Sequence, residues 1–223
     1  MELHFDQELT QVKDMLLRMS SAAEQAVAQA LKALTQRDTE LSKQVDFGDT
    51  VLDHLEMEID ERVVELIALR QPKARDLRFL IVVMQIAGEL ERVGDQAVNI
   101  ARRVEELNRE PQLKPLIDIP RMAEIARGMI RDALDSFVYA QPDHARRIIA
   151  RDTDADQLEA QLNRELVSYM VEDPHTIGRA LNLMGISHSL ERIADHATNI
   201  AEYVVYLYEA RDIRHQHEEP PPA

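Results

Sequence analysis

The amino-acid sequence predicts an all-α protein made of two tandem, sequence-related, antiparallel three-helix bundles. Three observations support this fold class. Apolar residues recur at three- and four-residue spacings over long stretches, which is typical of amphipathic helices. Glycine (6) and proline (9) are scarce among the 223 residues, and most prolines fall between the helical stretches. A segment of the first half also recurs in the second half, which indicates an internal duplication.

The first half predicts three long helices. Apolar residues mark one face of the first helix: Phe5, Leu9, Val12, Leu16, Met19, Ala23, Ala26, Ala30 and Leu34. Asp38 is a favourable N-cap for a second helix, which is expected to run to about Arg70 with a bend at Gly48. After a proline turn, the third helix is predicted from about Lys73 to Glu106.

The stretch 108–120 contains three prolines and predicts a linker between two bundles. The first bundle is therefore expected to cover residues 1–107 and the second 121–211. Three helices are predicted in the second bundle, at roughly 121–140, 143–172 and 175–210. The polar, proline-terminated segment 212–223 is expected to be a disordered tail.

The duplication is visible residue by residue. LERVGDQAVNIA at 90–101 and LERIADHATNIA at 190–201 are identical at eight of twelve positions and lie 100 residues apart. Upstream, GDTVLDHLE at 48–56 corresponds to RDTDADQLE at 151–159, with an offset of 103. Both the residues and the turn positions recur, so a duplicated helical unit explains the pattern better than coincidence.

Two sets of four acidic residues recur with the duplication. The N-terminal acidic cluster comprises Asp49, Asp53, Glu91 and Asp95, and the C-terminal acidic cluster comprises Asp152, Asp156, Glu191 and Asp195. Within each helix the two acids are four residues apart and therefore share a face. The pairs are equidistant from the turns at Pro72 and Pro174, so antiparallel helices should bring each set together. The helical pattern also predicts that these carboxylates lie in the apolar, core-facing stripe.

Carboxylates that converge on one contact between helices cannot all stay ionised without compensation. One solution is a site for two or more divalent or ferric ions, with Fe, Zn, Mn or Mg as candidates. The alternative is a set of ion pairs, because Arg92 and Arg192 each precede an aspartate of their cluster by three residues. Recurrence of the complete set in both halves favours metal. Asn99 and Asn199 could orient a ligand, and His196 could be an additional one.

Charge and composition exclude several classes of protein. Lys and Arg (26) are outnumbered by Asp and Glu (41), and the net charge of −15 argues against nucleic acid and anionic lipid surfaces as partners. The absence of cysteine excludes disulfides and thiolate metal sites and fits a reducing compartment. The N-terminal residues lack the plan of a signal peptide, and the longest apolar run, 80–84, is too short to span a bilayer. We therefore expect a cytoplasmic protein without membrane insertion.

Four segments in this order, RQPKARDLR, ELERVGDQAVNIA, YMVEDPHTI and SLERIADHATNI, resemble the PhoU family of bacteria, and the resemblance covers residues 1–212. It implies tandem three-helix bundles, frequent dimers, and in some members multinuclear metal clusters on Glu/Asp-x-x-x-Asp motifs. These motifs match both acidic clusters. The resemblance further implies a negative regulator of the phosphate-starvation response. Such a regulator would act between the ATPase subunit of the phosphate ABC transporter and the sensor histidine kinase.

The residues by themselves also favour an adaptor over an enzyme. No Walker loop, nucleophile elbow, His-Glu-x-x-His motif or dinucleotide fingerprint occurs in the sequence. A single catalytic site rarely needs a second copy of its ligand set, whereas both halves keep the full set of carboxylates. The competing hypothesis is a metal-storage protein or a metal-dependent enzyme that uses the two acidic clusters.

Overall fold

A computed structural model describes residues 2–214, except for the side chains of residues 2–4, 47 and 49. This part of the chain is helical and contains no β-strand. Its helices are α1 (Glu2–Gln36), α2 (Thr39–Arg70), α3 (Ala74–Asn108), α4 (Asp118–Val138), α5 (Pro142–Ile149), α6 (Asp152–Glu172) and α7 (Ile177–Glu209). A 3₁₀ turn at Pro174–Thr176 precedes α7. Across residues 2–214, no helix combines the length and the apolarity needed to cross a membrane.

The three helices of the first half confirm the prediction from hydrophobic spacing. Asp38 caps α2, because its Oδ1 accepts hydrogen bonds from the backbone N–H groups of Glu40 and Leu41, both at 3.0 Å. The helix continues through Gly48 without interruption. It ends where Gln71 adopts the left-handed conformation (φ 50°), immediately before a proline that cannot continue the helix.

The second half differs from its prediction in one helix. The single helix expected over 143–172 is divided into α5 and α6 by a turn at Ala150 and Arg151. The residues that follow, Asp152, Thr153 and Asp154, are poor helix formers in a helix interior, but acidic side chains are favourable in a first turn. Arg151 also pairs with Asp132 of α4 (Nη1 to Oδ2, 2.5 Å). The corresponding region of α2 remains one helix, so the duplication is not kept in this detail.

The two halves pack directly on each other through α3 and α7. Their facing surfaces are rich in buried alanine, valine, leucine and isoleucine, and the buried residues of both halves form one continuous core. Arg78 of α3 donates a hydrogen bond to the carbonyl oxygen of Leu207 (3.3 Å) and lies over the ring of Tyr206. The halves therefore share a core through the last helix of each, α3 and α7.

Further contacts join the halves at their ends. The rings of Phe79 and Phe137 stack with centroids 5.7 Å apart, and Lys13 Nζ donates to the carbonyl oxygen of Val138 (2.9 Å). The non-helical connection at 109–117 is also fixed, because Lys114 is buried and pairs with carboxylates of α4 and α6.

Candidate functional site

The C-terminal acidic cluster lies where α6 and α7 run antiparallel. Asp152 opens α6 and Asp156 follows one turn later, while Glu191 and Asp195 occupy successive turns of α7. The charges of Asp156 and Asp195 lie close enough to contribute to raised pKa values of Asp152 and Glu191. Sequence spacing predicted this convergence, and the structure brings these four side chains together.

The pKa of Asp152 is raised to about 6, first by partial burial and then by the charges of Asp195 and Asp156. The pKa of Glu191 is raised to about 7, first by burial and then chiefly by Asp195 and Glu159. Asp195 also has a raised pKa, first because of burial and then because of Asp156, although His196, Arg192 and His188 nearby oppose the shift. The cluster therefore has an excess of negative charge in a partly desolvated position.

Two oxygens of this cluster are shielded from solvent and accept no hydrogen bond. They are Asp152 Oδ1 and Glu191 Oε2. A buried polar atom without a partner is costly, so these oxygens need a proton or a cation. A bound cation is therefore one of two ways in which these oxygens could be satisfied, and protonation is the other.

The described members of the N-terminal acidic cluster have the same degree of exposure as their C-terminal counterparts. Asp53 and Asp95 are exposed, Glu91 is half-buried, and the side chain of Asp49 lies outside the part of the chain that the structure describes. The half-buried Glu56 on α2 has a raised pKa, first because of burial and then because of Asp60 and Asp53. Asp53, Glu56 and Asp60 of α2 are therefore close enough for their charges to interact.

The expectation that both clusters lie in core-facing stripes is wrong for their exposed members. Asp156 and Asp195 are as exposed as their N-terminal counterparts, and the buried face of α3 is instead formed by residues such as Leu90, Val93 and Ala97. Successive residues of a helix point about 100° apart, so a contact face centred one residue away from the predicted one moves the acidic side chains out of the core. The carboxylates therefore lie at the open edge of the contact between helices, where ions in solvent can reach them.

The alternative to a metal site, an ion pair between Arg92 and Asp95, is not formed among the described residues. Arg92 Nη1 instead donates to Glu89 Oε1 (2.9 Å), and the other oxygen of Glu89 contacts α7. His196 Nδ1 lies 2.7 Å from Glu89 Oε2, and Asn199 Nδ2 donates to the same oxygen at 3.1 Å. Burial by itself would raise the pKa of Glu89, but the hydrogen bonds with His196 and Asn199, together with the electrostatic effects of His196 and Arg92, outweigh it and lower the pKa. His196 and Asn199 therefore bind a carboxylate of the other half.

Two residues that the sequence analysis left out of the ligand set, His188 and Glu159, lie next to the C-terminal acidic cluster. His188 Nδ1 lies 3.4 Å from Glu159 Oε1 and 3.4 Å from Glu191 Oε2. One ligand atom from each of these three residues lies within 4.8 Å of the others. The sequence repeat could have identified His188. The position 100 residues before it is Gly88, so the imidazole is present in one half alone.

Comparison with known proteins identifies the family. The model of the PhoU domain matches twice, over residues 16–104 and 119–204. The PhoU homolog of Aquifex aeolicus, named a phosphate-specific transport system accessory protein, is 41% identical over 94% of this chain and 95% of its own length. The crystal structure of PhoU from Pseudomonas aeruginosa has a TM-score of 0.89 and 38% identity, covering 93% of this chain and all of that one. The phosphate transport system regulatory protein PhoU of Streptococcus pneumoniae has a TM-score of 0.88 and 30% identity, covering 94% of this chain and 99% of that one. The chain therefore belongs to the PhoU family.

Proposed function

We propose that this protein is a negative regulator of phosphate uptake and of phosphate-starvation signalling. It acts in the cytoplasm, as a homodimer, and it links the ATPase subunit of the phosphate ABC transporter to the sensor histidine kinase. The observation that carries the proposal is the similarity along nearly the whole chain to a phosphate-specific transport system accessory protein, at 41% identity over 94% of this chain. Both copies of the domain are present, so the similarity includes the complete repeated unit.

We infer a binding role without catalysis. The two halves repeat the same set of carboxylates on long helices. A single catalytic site does not need two copies of its ligands, whereas a binding protein can use both. The large buried contact between α3 and α7 holds the two halves in one orientation. A fixed orientation suits a protein that binds two partners at the same time. The net charge of −15 further suits recognition of protein partners over nucleic acid.

The N-terminal and C-terminal acidic clusters are the proposed metal sites. Bound ions would neutralise the carboxylates and couple metal occupancy to the stability of each half. The unpartnered oxygens of Asp152 and Glu191 support this role in the C-terminal half. In the N-terminal half the support is the recurrence of the same four acidic positions.

The deciding experiment is a binding assay with purified partners. The chain is immobilised, metal-loaded or metal-free, and offered the transporter ATPase subunit and the cytoplasmic part of the kinase from the same organism. We expect both to be captured, with bovine serum albumin as a control that is not. Deletion of the gene should also activate a phosphate-starvation reporter in phosphate-rich medium.

The competing function is metal storage or metal-dependent catalysis. If neither partner binds and the metal-loaded chain hydrolyses phosphoesters or oxidises ferrous iron, the adaptor role is wrong and the competing function replaces it.

A further inference from the structure

The imidazole of His188 breaks the equivalence of the two halves. It projects from α7 between a glutamate of α6 and the next turn of its own helix, with Nδ1 3.4 Å from Glu159 Oε1 and 3.4 Å from Glu191 Oε2. In the first half the equivalent position is Gly88, and the corresponding glutamate is Glu56. A Cβ added at Gly88 would lie 3.4 Å from Glu56 Oε1, so the carboxylate is present there but no nitrogen ligand is.

The spacing of the three ligand atoms fits one metal ion. Bonds from zinc to nitrogen or oxygen measure about 2.0–2.2 Å, so neighbouring ligand atoms of a tetrahedral site are about 3.3–3.5 Å apart. Both measured separations from His188 Nδ1 agree with that value. The Oε2 atom of Glu191 is buried and lacks a hydrogen-bond donor, so a cation would satisfy it.

The chemistry of the set selects the kind of ion. Mg²⁺ and Ca²⁺ prefer oxygen ligands, whereas an imidazole nitrogen favours borderline metals such as Zn²⁺, Co²⁺ and Fe²⁺. The His188 side chain is 61% exposed, so water can fill the remaining coordination positions. A mixed nitrogen and oxygen set at an accessible edge is therefore suited to a divalent transition metal.

We propose that Glu159, His188 and Glu191 form a binding site for one divalent transition-metal ion, a site that the N-terminal half lacks. The inference rests on the proposed metal role of Glu191 and goes beyond it in naming the ligands, the class of ion and the asymmetry between the halves. His188 makes the C-terminal half selective for borderline metals, while the N-terminal half remains a site with oxygen ligands alone.

The test is metal titration of the purified full-length chain after removal of metal. Zn²⁺ and Mg²⁺ binding are measured by calorimetry, and Co²⁺ binding by its visible absorption. His188→Gly copies the first half at the equivalent position, and His175→Ala removes an exposed imidazole of the turn before α7 as a matched control. We expect His188→Gly to weaken Zn²⁺ binding about tenfold or more and to leave Mg²⁺ binding unchanged. His175→Ala should bind both ions as the parent does.

The reverse substitution provides an independent readout. Gly88→His places an imidazole beside Glu56 in the first half, where the space for a Cβ is adequate. We expect the number of tight Zn²⁺ sites to rise by one. The melting temperature of each metal-free variant shows whether it is folded.

The outcomes separate this inference from the proposed metal clusters. Equal Zn²⁺ affinity of the parent and His188→Gly, with metal lost in Asp152→Asn or Asp195→Asn, would leave the clusters standing and refute the His188 site. An unchanged Zn²⁺ affinity of His188→Gly refutes the site whatever its metal-free melting temperature is, because glycine in a helix interior lowers stability by itself. A chain that binds none of the three ions would overturn both ideas.

Discussion

Glu89 connects the two halves at the scale of single residues. Its side chain is 4% exposed, and its oxygens contact Arg92 on its own helix and His196 and Asn199 on α7. A buried carboxylate is stable only when its oxygens are satisfied, and here three donors surround it. The equivalent position in the second half is Ser189, which is also buried.

Replacement of Glu89 tests the importance of this contact. Glu89→Leu keeps a similar volume but leaves buried His196 and half-buried Asn199 without their acceptor, so we expect the free energy of unfolding to fall by about 3–5 kcal/mol. Urea unfolding of the metal-free chain measures the change. Ser189→Ala is the matched control and should change it by less than about 1 kcal/mol. Equal small effects of both substitutions would show that Glu89 does not hold the halves together.

The raised pKa values in the C-terminal acidic cluster predict a pH dependence of the metal-free chain. Asp152 and Glu191 titrate at about 6 and about 7 in the folded state but at their ordinary, lower values when unfolded. The folded state therefore binds more protons in this interval, and stability must fall as the pH rises through it. We expect the melting temperature to decrease by several degrees from about pH 5 to about pH 8.

A double variant isolates the contribution of these two groups. Asp152→Asn combined with Glu191→Gln removes both charges, and the dependence on pH should become flatter while stability near pH 8 increases. A melting temperature of the parent that rises over the same interval would contradict the assigned burial and repulsion.

At the scale of helices, the ends are less regular than the interiors. Several helices end at residues in the left-handed conformation that are not glycine, among them Arg37, Ala140 and Ala210. Left-handed backbone costs a residue with a Cβ roughly 1 kcal/mol relative to glycine. These positions are therefore places where the natural sequence is not optimal for stability.

Two exposed alanines provide a matched test of this point. Ala140 follows α4 with φ 56°, whereas Ala150 follows α5 with φ −67°. We expect Ala140→Gly to stabilise the chain by about 1 kcal/mol and Ala150→Gly to destabilise it by about 0.5–1 kcal/mol, because only the first position favours glycine. Thermal unfolding of both variants measures the difference in sign. Destabilisation by both would rule out left-handed strain at Ala140.

At the scale of the whole molecule, the continuous core determines how the protein unfolds. Buried residues of α3 and α7 face each other across the boundary between the halves, and Phe79 and Phe137 extend the contact at one end. Separating the halves would expose these surfaces to water, at a cost that grows with the apolar area. The repeated units are therefore expected to depend on each other.

We expect the metal-free chain to unfold in one cooperative transition. Scanning calorimetry should give equal calorimetric and van't Hoff enthalpies, and hydrogen exchange of α2 and α6 should report the same global stability. The variant Glu89→Leu should lower the stability of both halves by the same amount. Two resolved transitions, with one half stable after the other has melted, would show that the bundles are independent domains.

Local periodicity of the sequence was sufficient to predict much of the fold. The helices of the first half, the all-α class and the repeat follow from spacings within about twenty residues and from direct comparison of two segments. The convergence of Asp152, Asp156, Glu191 and Asp195 could also be predicted, because residues equidistant from a tight turn meet in antiparallel helices. The solvent exposure of the aspartates could not be predicted, since a rotation of the helix by one residue exchanges buried and open positions.

The sequence by itself therefore determined the class of fold, the duplication and the four members of the C-terminal acidic cluster, since all three follow from spacing along the chain. Only the tertiary structure decided that α3 and α7 share one core and that His196 and Asn199 bind Glu89. It also decided that His188 meets Glu159 across two helices. These contacts join residues that are far apart in the sequence, and they depend on which faces of two amphipathic helices are in contact. The packing of the whole core decides which faces meet. The sequence of any single helix does not contain that information.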